Sequence, residues 1–483
     1  MNFDVLVPNQ PPVDDPGNVR LCVVGESPGV EECSWHVCAS GHGFALEHWQ
    51  NKQLVRRDRC PHCGSQRFEE RLQPFCGESG RLLNDLLRAS GLPRERCWVG
   101  NVSRRPLAEH EKTLDYVRPL LPRLAIDLED FRPNCVLVLA NLALAVFLGA
   151  GHSVTAYRGS IVMGELEGVH YKLVVACHPA AILREPSQLC LLRHDIARAV
   201  QEAATSAYSM PRRVVDAPSD PNEVIARLRA LRAIRVPVGH DIEGGVETGV
   251  TVCSFADSPW HGLSIPFRRM DCSSVWSKPD ADAILSAIKA ILEDAAVIKV
   301  MHNASFEMFA WRWLHGIQVR NVHDSMIAFH VAWPELDKAL DVVASIVTRQ
   351  PYWGTTKDWR TDADRDLYNV IDSCVCLEAY QAVVREFTPA QAAYYAHSIA
   401  LLEPCLAMMH DGLAYDAPAR DAMVAQIQAE VWEAQGTLDS LAGIAPPSFK
   451  EVAEAVCFKN KLERVATWDD ILQYSKPSFK GAL

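Results

Sequence analysis

The chain has 483 residues, 48% hydrophobic and 22% charged, with a net charge of −12. That length is too great for one core and points to two or three domains, and the composition excludes a disordered chain. The acidic balance excludes a global attraction for nucleic acid, so any such contact must use local basic patches or acids screened by metal. The most apolar run, residues 135–149, is shorter than the ~20 residues of a membrane span. It divides into a buried strand (135–140) and a helix (141–148), and no membrane is implied. The 16 cysteines are scattered and no secretory signal opens the chain, so reduced thiols in a cytoplasm are expected.

Residues 1–18 are rich in Pro and Asp and read as a loose arm. Residues 21–29, Leu-Cys-Val-Val-Gly-Glu-Ser-Pro-Gly, run from a buried strand into a turn. Ligands bind at the carboxyl ends of strands in open α/β sheets, which is where this turn falls. An insertion over 33–70 has its own chemistry. Cys38 and His42 form one chelating pair, Cys60 and Cys63 another, and four N/S ligands suit tetrahedral zinc. The pattern resembles a zinc ribbon and predicts one structural Zn²⁺, with Cys33 and His62 as alternative ligands. Lys52, Arg56, Arg57 and Arg59 lie between the pairs, as phosphate contacts or as a solvated face.

Residues 74–80, Pro-Phe-Cys-Gly-Glu-Ser-Gly, lead into a helix over 81–90 with Leu82, Leu83, Leu86 and Leu87 on one face and Gly91 as its stop. Residues 98–102 and 174–180 are two more strand-to-loop edges, and an amphipathic helix over 191–203 closes the region. These four edges resemble the uracil-DNA glycosylase superfamily, closest to its family four, over about the first two hundred residues. The resemblance implies that Glu26 lies near the attacking water, Phe75 stacks on a flipped base, Asn101 reads its edge, and His178 stabilises the departing uracil anion. There are departures. No Cys-x-x-Cys precedes Gly25, and Arg104 replaces the cysteine of the second motif, so no iron–sulfur cluster is expected. Ser27 stands where another glycosylase family has its catalytic aspartate. Excision is therefore expected to be weak or absent.

Residues 204–221 read as a linker. The apolar lead-in at 234–238 reads as a strand placing Asp241 and Glu243, two apart, on one face. Two adjacent acids repel unless a cation lies between them, so the pair invites a metal. Strands follow at 251–256 and 261–266, a helix at 281–293, a strand at 297–301 and a helix at 306–315; the alternation fits a mixed sheet with flanking helices. His302-Asn-Ala-Ser-Phe-Glu307, Val322-His-Asp-Ser-Met326 and Tyr368-Asn-Val-Ile-Asp372 complete the set. Tyr368 and Asp372, four apart, share a helical face.

Together these segments resemble the three exonuclease motifs of the proofreading domain in DNA polymerase I-like (family A) enzymes. The resemblance implies a ribonuclease H-like fold and hydrolysis by two Mg²⁺ or Mn²⁺ ions ~3.5–4 Å apart. Asp241, Glu243, Glu307 and Asp372 would ligate the metals, and Tyr368 would orient the water. Asp324 would be a second-shell acid or an alternative ligand. Glu307 stands where the family has aspartate. The extra methylene adds ~1.5 Å, and misplacement by ~1 Å can cost ~10²-fold in rate.

Beyond residue 387, helical patterns at 392–409 and 417–441 resemble the passage from exonuclease into polymerase in those enzymes, and residues 448–451 carry a capping-box signature. The expected fold is α/β. A uracil-DNA glycosylase-like αβα sandwich (1–208) with the zinc-ribbon insertion (33–70) precedes a ribonuclease H-like 3′-5′ exonuclease domain (209–388) and a helical tail (389–483). The order resembles certain bacteriophage DNA polymerases. The expected function is proofreading of DNA 3′ ends, single-stranded or primed, beside a DNA polymerase on a separate polypeptide to which the tail docks. A uracil-excising repair enzyme and a catalytically silent DNA-binding scaffold are the alternatives.

Overall fold

In the computed structural model, the described residues run from 6 to 442 apart from 30–31, 41–42, 46, 51–52, 71, 355–358 and 413. The capping-box signature at 448–451 and the proposed zinc ligand His42 lie outside them. The chain forms two compact units, Met1–His410 and Asp411–Leu483.

The first layer of the larger unit is built on β1 (Leu21–Gly25), whose five residues are all buried. The insertion then forms two small sheets. One joins β2 (Trp35–Cys38), β3 (Gly43–Ala45) and β6 (Phe68–Glu70); the other pairs β4 (Glu47–Gln50) with β5 (Gln53–Arg56). Helix α1 (Glu78–Ala89) buries Leu83, Leu86 and Leu87, with Leu82 packed at the core's edge. After it come β7 (Trp98–Asn101), the helices α2 (Leu114–Val117) and α3 (Leu121–Phe131), β8 (Cys135–Leu139), α4 (Asn141–Leu148), α5 (Val154–Tyr157), β9 (Ile161–Leu166), β10 (Val169–Ala176), α6 (Pro179–Arg184) and α7 (Leu189–Glu202). The sheet order is β7-β1-β8-β10-β9, parallel except for the antiparallel β9. Val, Leu and Cys runs suit strands covered by helices on both faces, which read as continuous apolar stretches rather than alternating ones.

The second layer differs from the sequence expectation at its start. Residues 214–216, expected within a linker, form β11 (Val214–Asp216), an edge strand parallel to β14 (His261–Pro266). The lead-in at 234–238 is not a strand throughout, because α8 (Pro221–Ile234) runs through its first residue and Val224, Leu228 and Leu231 bury its apolar stripe. Strand β12 (Val238–Gly245) itself carries Asp241 and Glu243, followed by β13 (Gly249–Ser258) and the already named β14. Then come α9 (Lys278–Leu292), β15 (Lys299–Met301), α10 (Ala304–His315), β16 (Val322–Asp324), α11 (Ser325–Ala332), α12 (Leu340–Val347) and α13 (Asp362–Arg385). The six-stranded sheet, ordered β11-β14-β13-β12-β15-β16, mixes parallel and antiparallel pairs.

Helix α13 lies against the middle of this sheet because two strand residues have no side chain. A Cβ on Gly239 would lie 2.1 Å from the Ser373 carbonyl oxygen, and one on Gly262 would lie 2.8 Å from Val370 Cγ1. The Ser254 hydroxyl donates to the Asn369 carbonyl at 2.9 Å, fixing the helix along its length. Any side chain at 239 would lift α13 and carry Asp372 away from β12.

The pattern expected as one helix over 392–409 breaks at Leu401 into α14 (Pro389–Ala400) and α15 (Leu402–Asp411). Assigned to the tail from sequence, α14 packs on the second layer: the Asp324 amide donates to the Tyr395 hydroxyl at 3.0 Å, beside His323. In the second unit, α16 (Ala417–Ala442) exposes Val424, Ile427, Val431, Leu438 and Leu441, spaced as one apolar seam. Among the described residues, no helix is long and apolar enough to cross a membrane.

Candidate active site

Strand β12 presents Asp241 and Glu243 toward α13, and a register shift at Glu243/Gly244 bends the strand beyond the pair. Oxygens of Asp241, Glu243 and Asp372 lie within 4.8 Å of one another. Three carboxylates at that spacing repel. Burial, then Asp372, Glu307 and Glu243, push the Asp241 carboxyl well above its usual range.

Glu307 is not in that closest group but stands beside it, 3% exposed. Its Oε2 is buried with no hydrogen-bond partner among the described residues. Burial raises its pKa well above the ordinary range, with Asp324, Glu243 and Asp372 adding to the shift. Its helix is aimed by an anchor one turn on. The Trp311 indole donates to His240 Nε2 at 2.9 Å, and His240 Nδ1 meets the Ser254 carbonyl at 2.8 Å. Glu307 and Trp311, four apart, therefore face β12 together.

Asp324, expected as a second-shell acid or an alternative ligand, has both oxygens engaged by backbone amides. Its Oδ1 accepts from Asn303, Met326 and Ile327 at 3.2, 2.7 and 3.2 Å, and its Oδ2 from Ala304 at 2.8 Å. It caps α11 and ties down the start of α10, which makes it a positioning residue for Glu307. His302 completes the joint, with Nδ1 on the Ser325 hydroxyl and Nε2 on the Lys338 carbonyl, both at 2.8 Å.

Tyr368 is buried, and burial followed by Asp372 and Glu243 raises its pKa, so its hydroxyl keeps its proton. Two donors were missed in the sequence. The Asn369 amide donates to Asp241 Oδ2 at 2.5 Å, and the Trp353 indole donates to Asp372 Oδ1 at 2.6 Å. Asn369 was findable, three residues before Asp372 on the same helical face. Trp353 was not, since nothing local marks it.

At the carboxyl ends of the first sheet, Gly25 pairs with Asn101 across β1 and β7. A Cβ on Gly25 would meet Asn101 Oδ1 at 2.4 Å and Phe75 Cζ at 2.5 Å, so these three residues share one tight corner. Phe75 has φ 54° and is held by Glu32, which accepts its amide at 2.7 Å, and by Arg94, which donates to its carbonyl at 3.0 Å. Neither holder was evident from sequence. The Phe75 and His178 rings stack on each other, centroids 5.5 Å apart. His178 caps α6 by accepting the Ala180 amide at Nδ1, and burial, then Arg184 and Lys112, hold its pKa down at about 4. Glu26 is paired with Lys112 at 3.2 Å. Arg104, standing where the resemblance has a cluster cysteine, reaches Asp127 at 2.9 Å.

In the insertion, Cys38, Cys60 and Cys63 bring their sulfurs within 4.8 Å of one another. The second pair sits on a tight turn in which the Gly64 amide, at φ 71°, donates to the Cys60 carbonyl at 2.9 Å. No described cysteine is in a disulfide.

Residues 11–204 match the family model for the uracil DNA glycosylase superfamily, and residues 213–353 match that for the 3′-5′ exonuclease. Among curated relatives, the type-4 uracil-DNA glycosylase of Archaeoglobus fulgidus is 29% identical over 119 residues, covering 24% of this chain and 60% of the relative. That of Thermotoga maritima is 32% identical over 117 residues, covering 24% of this chain and 59% of the relative. The chain thus spans about 60% of the length of these two relatives. Among solved structures, the POL domain of Pol1 from M. smegmatis has 17% identity and a TM-score of 0.35, over 52% of this chain and 42% of that one. Escherichia coli RNase D has 15% identity and a TM-score of 0.31, over 42% of this chain and 52% of that one. The chain thus carries a region matching the uracil-DNA glycosylase superfamily followed by one matching a 3′-5′ exonuclease domain, and the second supports a nuclease-type enzyme.

Proposed function

We propose that the chain is a metal-dependent 3′-5′ exonuclease that removes nucleotides from DNA 3′ ends in a proofreading role, and that its glycosylase-like domain excises uracil weakly or not at all. The convergence of Asp241, Glu243 and Asp372 to within 4.8 Å carries the first part. The buried Glu307 Oε2 beside them is a further oxygen with no hydrogen-bond partner among the described residues. An all-oxygen, multiply negative donor set of this kind fits Mg²⁺ or Mn²⁺. Bound there, such ions supply an activated water and stabilise charge on the leaving 3′-oxygen. The protein's own part is positioning. Asn369 donates to the Asp241 carboxylate and Trp353 to that of Asp372, and these contacts orient the two acids. Tyr368, kept protonated beside Asp372, would donate to or orient the attacking water.

The glycosylase-like corner supports weak excision. Phe75 is 2% exposed and the face turned to His178 is covered by that ring, centroids 5.5 Å apart, so a base could stack there only if the His178 ring moved. Glu26 is already paired with Lys112 at 3.2 Å, a contact that competes with water for its carboxylate. In the insertion, Cys38, Cys60 and Cys63 fit one structural zinc, with His42 completing the set. The exposed α16 seam supports docking on a polymerase partner.

The test is incubation of the purified protein with end-labelled single-stranded DNA in Mg²⁺ or Mn²⁺. Stepwise loss from the 3′ end, absent in the Asp241→Ala/Glu243→Ala double variant, is the expected result. No digestion with either ion would overturn the reading.

A further inference from the structure

The end of α12 and the residues that follow it, 345–353, are tied to the glycosylase-like domain as well as to their own layer. The Arg158 guanidinium, paired with buried Asp195, donates to the Ser345 hydroxyl at 2.8 Å. Gly159, at φ 75°, allows this approach, since a Cβ there would lie 3.0 Å from both Asp195 Oδ1 and the Ser345 carbonyl oxygen. Arg198 bridges the two domains, donating to Gly159 O at 2.7 Å and to the Ile346 and Thr348 carbonyls at 3.0 Å each. Arg349 pairs with Glu202 at 2.6 Å. The Tyr352 amide donates to the Ser160 hydroxyl at 2.9 Å, and its ring packs on Tyr157 with centroids 5.1 Å apart. The next residue is Trp353, whose indole donates to Asp372 Oδ1.

We infer that Trp353 is a positioning residue for the metal-binding Asp372, and that the glycosylase-like domain sets its place by clamping the strap of residues 345–353. The inference rests on the exonuclease reading above. An N–H from a rigid indole selects one orientation of the carboxylate. Donors of this kind behind a metal ligand typically carry about tenfold to a hundredfold in affinity. The indole is itself fixed on its N-terminal side by a backbone bond to the other domain. The glycosylase-like fold thus serves the nuclease as a jig, whatever its own chemistry.

The test uses the full chain and two readouts, Mn²⁺ affinity by calorimetry and digestion of labelled single-stranded DNA. Trp353→Phe keeps the packing and removes the donor, and should weaken Mn²⁺ binding about tenfold or more. Ser160→Ala, in the other domain, removes only the acceptor of the Tyr352 amide and should weaken it about twofold to tenfold. Combined, the two should cost no more than Trp353→Phe alone, because both act through one contact. Thermal melts confirm folding, and Arg198→Gln replaces Ser160→Ala should that variant fail to fold. Unchanged Mn²⁺ affinity in Trp353→Phe, no effect of the variant in the other domain, or simple additivity each overturns the inference. If the unaltered protein neither binds Mn²⁺ nor digests DNA, the exonuclease reading itself falls and takes this one with it.

Discussion

Replacing Asp241 with asparagine should make the metal-free protein more stable while abolishing its activity. Two unit charges 4.8 Å apart at an effective dielectric of ~20 repel by about 3.5 kcal/mol. Asp241 faces both Glu243 and Asp372 within that distance. Part of the repulsion is already relieved, because the raised pKa of Asp241 lets it hold a proton for some of the time. A net gain of roughly 1–3 kcal/mol is therefore expected for Asp241→Asn in chelator. The amide keeps the shape, and its carbonyl still accepts from Asn369. Added Mn²⁺ reverses the order. At a hundred times its dissociation constant, it stabilises the unaltered protein by about 2.7 kcal/mol and the variant by much less. Urea denaturation with and without Mn²⁺ measures both effects. A variant less stable than the unaltered protein in chelator, with equal stabilisation of both by Mn²⁺, would refute the reading of these carboxylates as a strained metal site.

Three other outcomes follow from sites described above. One zinc per chain should be found by elemental analysis, and Cys60→Ser should release it and unfold residues 33–70, since structural zinc binding is folding free energy; iron without zinc would contradict this. Buried His240 accepts a hydrogen bond from Trp311 and has its pKa held down at about 4, mainly by burial. Its folded pKa lies below the ~6.5 of an unfolded histidine, so its effect is nil above pH 6.5 and stability falls as pH drops from there to 4, by about 3 kcal/mol. His240→Gln should show a shallower loss over that window in urea titrations, and an identical pH profile would rule this out. Uracil-containing DNA should yield few abasic sites, and efficient excision lost on His178→Ala would disprove the closed-corner argument.

Much of the acidic site could be read locally because its geometry is periodic. Asp241 and Glu243 share a strand face at period two, and Tyr368 and Asp372 share a helix face at period 3.6. The Cys60–Cys63 pair was legible as a short-range chelating spacing, and Cys38 joins it in space, while His42, the expected partner of Cys38, lies outside the described residues. What stayed hidden depends on contacts across long sequence separations. Trp353 reaches Asp372 from a loop with no pattern, and Arg94 and Glu32 hold Phe75 from opposite sides of α1. Asp324 could be seen as an acid in the right motif, but its role follows from four amides on two helices converging on it. Strand β11 was obscured because Val214 and Val215 are too short an apolar run to read as a strand until β14 offers an edge.

The strap also has a consequence for synthesis. Glu202 and Arg349, which close the clamp, are 147 residues apart. At about 5–20 residues per second, the ribosome needs roughly 7–30 s to span them. The docking surface around Ser160 and Arg198 is then available to fold well before its ligand, the strap, exists, and Asp372 emerges later still. The nuclease centre is completed late, on a template already made. A growing chain would thus pass through an interval in which the first domain can fold while the acidic centre of the second is still incomplete.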